Sequence, residues 1–197
     1  MNTGQKAMNE GVKKITPNMI WESFTKDERA QACEAVWTVK DENLNPKEDR
    51  EKVDMILAKQ FKSRLTFFRK KTAPEKGRLL HQYATNQMTD KLCSDLVKCF
   101  ILNTNRSILG DFLDAQGIAH EKGNIKGEVN KLAGTGSLRK GITKIEAKYS
   151  KKEVAVYLGF LITVDLFKNL GKASEIEGIN YFERLTPQKI EETLEES

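Results

Sequence analysis

The stretch SKKEVAVYLGFLITVDLF, Ser150 to Phe167, decides the fold. From Val154 to Val164 it carries no charge, so it presents an apolar surface too wide to leave in water. Ser150 followed by Glu153 matches a capping box, in which the hydroxyl accepts from the backbone N–H three residues on and the carboxylate reaches back. The rival reading is a buried strand, since Val154, Val156, Ile162 and Val164 suit a sheet. Length and cap favour a helix, and the uncharged run falls short of the ~20 residues of a membrane span. The stretch is therefore read as a buried central helix near 150–168.

Working outward, helix start signals recur on both sides. Thr16-Pro17 opens a short helix through Trp21 and Phe24, with Pro at a position where no N–H is needed. Thr25 and Glu28 form a second capping box, and Ala32, Val36 and Val39 follow at helical spacing. Asn45-Pro46 with Glu48 starts another helix, on which Val53, Ile56, Leu57 and Phe61 read as one apolar stripe. Phe67 to Arg78 breaks the periodicity, and Pro74 with Gly77 reads as a connector. Leu92, Leu96, Cys99 and Phe100 share a face, as do Ile108, Leu109, Phe112 and Leu113, which Gly117 terminates. The Gly-rich stretch 117–136 reads as loop with one short helix around Glu128 to Leu132. Ser137 is expected to cap a basic helix from about Leu138 to Tyr149, and Thr186-Pro187 to open a last acidic helix.

With no convincing period-2 alternation, the expected fold is all-α, a multi-helix bundle of about eight to nine helices. The 197 residues suit a flexible N-terminus at 1–15 and a single helical domain at 16–197, with a candidate subdomain seam near 70–78. The first residues lack an apolar signal region. The three cysteines, Cys33, Cys93 and Cys99, match neither a disulfide framework nor a zinc spacing. A reducing, cytoplasmic location is the expectation.

Charge is uneven. Lys59 to Arg78 holds eight basic residues against Glu75, a local net of +7, whereas Ala173 to Ser197 has a local net of −5. The acidic tail is a candidate to fold back on the basic run. Lys62, Arg69, Lys70 and Lys71, with Lys59, Lys76 and Arg78, have the charge to meet phosphates, and Phe67 or Phe68 can stack on bases. Lys140 and Lys144 lead a second basic stretch at 138–152, with Lys148 and Lys151 at the same spacing. The competing reading is a solvated face with both phenylalanines in the core.

Chemistry-bearing patterns are sparse. Asp111, Asp114, His120 and Glu121 have ligand types that suit zinc, manganese or iron, but no second His follows His120 at metalloprotease spacing. GTGS, Gly134 to Ser137, looks like a phosphate loop before a basic helix, and Gly136 to Thr143 spaces like a Walker A sequence, but Ile142 stands where the essential Lys belongs. No cysteine–histidine spacing supports a nucleophile. The expectation is a non-enzymatic intracellular helical interaction or regulatory module with a protein partner, no metal and no cofactor. The alternatives are sequence-nonspecific nucleic-acid binding through 59–78 and 138–152, and a hydrolase or metal-dependent enzyme at Asp111–Glu121.

Overall fold

The computed structural model describes residues 15–126 and 135–163, with nothing said of the side chains at 135–137. The fold is all-α. Nine helices lie among the described residues: α1 (Pro17–Glu22), α2 (Lys26–Thr38), α3 (Lys47–Gln60), α4 (Leu65–Arg69), α5 (Ala73–Asn86), α6 (Asp90–Thr104), α7 (Arg106–Gln116), α8 (Thr135–Glu146) and α9 (Lys151–Thr163). One two-residue hairpin, β1 (His120–Glu121) and β2 (Asn124–Ile125), pairs antiparallel. No described helix is long and apolar enough to cross a membrane.

α9 is the central element, and it is a helix. Its capping box is closed in both directions, Glu153 N–H to Ser150 Oγ at 3.3 Å and Ser150 N–H to Glu153 Oε2 at 2.7 Å. Every residue from Val154 to Gly159 is buried, as are Leu161 and Ile162. Tyr157 meets Phe112 of α7 edge-on, with ring centroids 5.4 Å apart. α9 packs on α1, α6 and α8; α2 packs on α5 and α6; α7 packs on α8; α3 packs on α4 and α5.

Local signals set most of these boundaries. Thr16 Oγ1 accepts from Met19 N–H at 3.3 Å and starts α1. The Thr25–Glu28 box starts α2. Asn45 Nδ2 donates to the carbonyls of Val36 and Val39 at 2.9 and 2.8 Å, so the loop after α2 caps that helix's end. Gly117 stops α7 at φ 69°.

Four expectations are corrected. Residues 67–78 are not a connector: Phe67–Arg69 belong to α4, and α5 begins at Ala73 behind a Thr72–Glu75 capping box with Pro74 in its first turn. Gly77 lies inside α5 because α2 comes so close that a Cβ there would meet Glu34 Cα at 2.9 Å. On α3 the buried face is Asp54, Leu57 and Ala58, while Ile56 is 49% exposed. α8 begins at Thr135, so Ser137 is within the helix, and it ends at Glu146; Lys148 and Lys151 therefore lie beyond it. The Gly-rich stretch contains the β1–β2 hairpin, whose turn carries Lys122 at φ 50° and Gly123 at φ 88°.

The flexible N-terminus expected at 1–15 lies outside the described residues except Ile15. The same holds for the short helix expected near 128–132, the expected run of the central helix past 163, and the acidic tail with the last helix expected in it.

Candidate interaction surface

The first basic stretch folds into a corner made by α3 and α4. α3 runs from an acidic first turn, Glu48 and Asp49, to Lys59 in its last turn, an order that complements the helix dipole. It ends in a Schellman arrangement: Ser63 N–H reaches the Ala58 carbonyl at 2.8 Å and Lys62 N–H the Lys59 carbonyl at 3.2 Å. The left-handed position in that motif normally belongs to glycine, yet Lys62 occupies it at φ 49°. Lys62 is thus held at the tip of the corner at a cost in backbone energy.

Two adjacent phenylalanines of α4 go opposite ways. Phe68 is fully buried and anchors the short helix, whereas Phe67 is 70% exposed. Among the described residues, the exposed large apolar side chains are Met55, Ile56 and Phe67, all on α3 and α4. Neither sequence reading separated the two rings; one offered either for stacking and the other buried both.

Beneath this corner sits a buried ion pair that sequence reasoning missed. Lys76 Nζ of α5 donates to Asp54 Oδ1 and Oδ2 of α3 at 3.0 and 2.9 Å, with both side chains 8% exposed. Trp37 Nε1 of α2 donates to Asp54 Oδ1 at 2.9 Å. The Lys76 ammonium also lies 5.5 Å from the Trp37 ring centroid and 5.6 Å from that of Phe68. The group ties α2, α3, α4 and α5 together. It removes Lys76 from the outer basic surface where its place in the charge run had put it. The only signal in the sequence was an acid, Asp54, on a face whose helical neighbours Leu57 and Ala58 are apolar.

Lys59, Lys62, Arg64, Lys70 and Lys71 make no ion pair among the described residues, and Arg69 is 3.7 Å from Glu51. Lys140 and Lys144 are exposed on α8, whose main packing partners are α7 and α9. Lys62, Arg69, Lys70 and Lys71 therefore come together at one corner, while Lys140 and Lys144 belong to a different group of helices.

The other candidates are engaged elsewhere. Asp111 accepts from Lys148 Nζ at 2.5 Å and from Tyr149 Oη at 2.7 Å, and these bonds hold its carboxyl below the usual carboxylate range. Asp114 instead pairs with His120 Nε2 at 3.0 Å, while His120 Nδ1 accepts from Gly123 N–H at 3.2 Å and so helps fix the hairpin turn. Glu121 turns to Lys126 at 3.0 Å. Asp114 and His120 thus meet each other, Asp111 and Glu121 each turn to a separate lysine, and no group of three or more His, Cys, Asp or Glu converges among the described residues. Cys33, Cys93 and Cys99 are free and buried. Burial pushes their thiols up to about 12, 11 and 12, far from the thiolate a nucleophile needs. Of the GTGS segment, Gly134 lies outside the described residues, and the rest is helical backbone of α8.

No family model, no curated protein and no solved structure matches this chain. The reading of function rests on the surface itself.

Proposed function

We propose that the protein is a non-enzymatic, intracellular interaction module that holds an acidic, amphipathic protein segment at the α3–α4 corner. One observation carries the reading: Phe67 is 70% exposed, beside cations that make no ion pair among the described residues. An apolar side chain of that size left in water gives up roughly 2 kcal/mol of burial, which a partner can recover. The cations select for negative charge and speed encounter. Lys62, retained in a strained conformation at the tip, fits a role for its charge that glycine would not fill. A reducing cytoplasmic setting suits the three buried free thiols.

The same observation favours a second reading, nonspecific single-stranded nucleic-acid binding, because an exposed aromatic ring among cations can stack on bases. This reading rests on Lys62, Arg69, Lys70 and Lys71 with Phe67; α8, with Lys140 and Lys144, belongs to other neighbours.

One experiment separates the two. A panel of labelled peptides with Leu and Glu at helical spacing, and a labelled single-stranded oligonucleotide, are titrated at two salt concentrations against wild type, Phe67→Ala and Lys62→Glu/Lys70→Glu. Peptide binding that Phe67→Ala abolishes supports the first reading. Oligonucleotide binding that weakens steeply with salt and fails in the charge variant replaces it with the second. Binding of neither at low salt refutes both.

A further inference from the structure

A cavity of about 200 Å³ lies at the junction of α2, α6, α7 and α9, remote in the chain from the α3–α4 corner. Its inner wall is Phe100, Ile101, Ile108, Val156 and Tyr157, and its mouth carries Glu28, Lys152, Glu153 and Asn105. For scale, an apolar cavity of ~150 Å³ is enough to admit benzene.

Every charge at the mouth already has a partner. Lys152 Nζ donates to both oxygens of Glu28, which also caps α2 by accepting from Thr25 N–H at 2.6 Å. Glu153 accepts from Asn105 Nδ2 and from Ser150 N–H, capping α9. Burial works against both carboxylates, but these hydrogen bonds win and hold each below its ordinary pKa, so both are ionised and satisfied at neutral pH. A charged ligand would have to break one of these pairs.

Tyr157 differs. Only 1% of its surface is exposed, and its hydroxyl makes no hydrogen bond among the described residues. Complete burial pushes the phenol's pKa upward, which keeps its proton in place. Tyr157 lines the cavity, and a ligand acceptor that reaches its hydroxyl gains a hydrogen bond.

We propose that this cavity is a binding site for a compact, uncharged, mainly apolar molecule with one hydrogen-bond acceptor directed to Tyr157. The apolar wall supplies affinity, the paired mouth excludes ions, and the phenol selects the acceptor.

The test uses acetophenone and ethylbenzene, which share one carbon skeleton and differ in the carbonyl oxygen. Binding is followed by ligand-observed and amide NMR on the full chain. Acetophenone is expected to bind saturably and roughly fivefold tighter than ethylbenzene, the worth of one hydrogen bond. In Tyr157→Phe the preference is expected to fall to about one while ethylbenzene binding persists, which shows that the variant is folded and its cavity open. Val156→Phe, or Ile108→Phe should the first not fold, is expected to fill the space and abolish both. No saturable binding of either probe, binding that the filling variants leave intact, or a preference unchanged in Tyr157→Phe would overturn the proposal.

Discussion

Replacing Lys76 with Met should be among the most damaging single changes in the α2–α5 half of the molecule. Met keeps most of the aliphatic stem that passes Trp37 and Phe68, so little volume is lost. The ammonium is lost, and with it both hydrogen bonds to Asp54, at 3.0 and 2.9 Å. Asp54 is then an 8% exposed carboxylate left with one described donor, Trp37 Nε1. Stranding a buried charge in this way costs about 3–5 kcal/mol. For a chain of 197 residues each kcal/mol moves Tm by roughly 2–4 °C, so the expected drop is about 10 °C. The partner change decides the cause. Adding Asp54→Asn removes the stranded charge while keeping an acceptor for Trp37, so Asp54→Asn/Lys76→Met should recover most of the loss and end within about 2 kcal/mol of wild type. Urea unfolding followed by tryptophan fluorescence reads both numbers, and Trp37 sits in the cluster itself. A single-mutant loss under about 1 kcal/mol, or a double mutant no more stable than the single, would refute the claim that this ion pair organises the four helices.

Other changes test individual features. Lys62→Gly relieves the left-handed backbone at φ 49° and should raise stability by about 0.5–1 kcal/mol by the same urea assay, while weakening any partner binding at the corner. Gly77→Ala improves helix propensity by about 1 kcal/mol, but its Cβ would lie 2.9 Å from Glu34 Cα, so net destabilisation of about 1–3 kcal/mol is expected. Stability should fall with acid in two stages. Burial, then Arg29 and Lys26, lower the pKa of His81, so the unfolded chain takes up its proton first and a shallow loss begins below about pH 6.5. The lowered carboxylates Glu28, Asp41, Asp111 and Glu153 contribute fully above about pH 4.5 and lose that contribution as pH falls through their folded values, so the urea midpoint should drop steeply there; a midpoint that rose on acidification would contradict these assignments. Finally, Ellman's reagent at pH 8 should find almost no reactive thiol in the native protein and all three once it is unfolded.

What the sequence made legible was whatever depended on residues close together in the chain. The capping boxes at Thr25–Glu28 and Ser150–Glu153, the Thr16 cap and the Gly117 stop each involve four residues or fewer, and each is present in the structure. The Thr72–Glu75 box has the same pattern, but Pro74 and Gly77 beside it read as a break. Pro in the first turn costs a helix nothing, and Gly77 answers to Glu34, more than forty residues earlier. The Asp54–Lys76 pair was illegible for the same reason. Each member looks like an ordinary surface charge until α3 and α5 are side by side, and Lys76 was further hidden inside a run of cations. The hairpin at His120–Ile125 is too short for alternation to register; Gly123 is required because a Cβ there would meet Leu109 Cβ at 2.7 Å.

The candidate surface was half legible, and the missing half changes its meaning. Read as a run, 59–78 is a uniform band of charge whose simplest use is solubility. Folded, it is sorted: Lys76 turns inward to Asp54, Phe68 is buried beside it, and Phe67, Lys62, Lys70 and Lys71 stay outside. A helix of five residues cannot hold its own shape in water, so α4 depends on Phe68 and the ion pair beneath it. An exposed site tolerates alanine at 67 and the left-handed backbone favours glycine at 62, yet the chain places an aromatic ring in water at one position and a strained lysine at the other. The proposed binding surface rests on these two local costs at one corner, and of the two the exposed ring is the one that a partner's contact would offset.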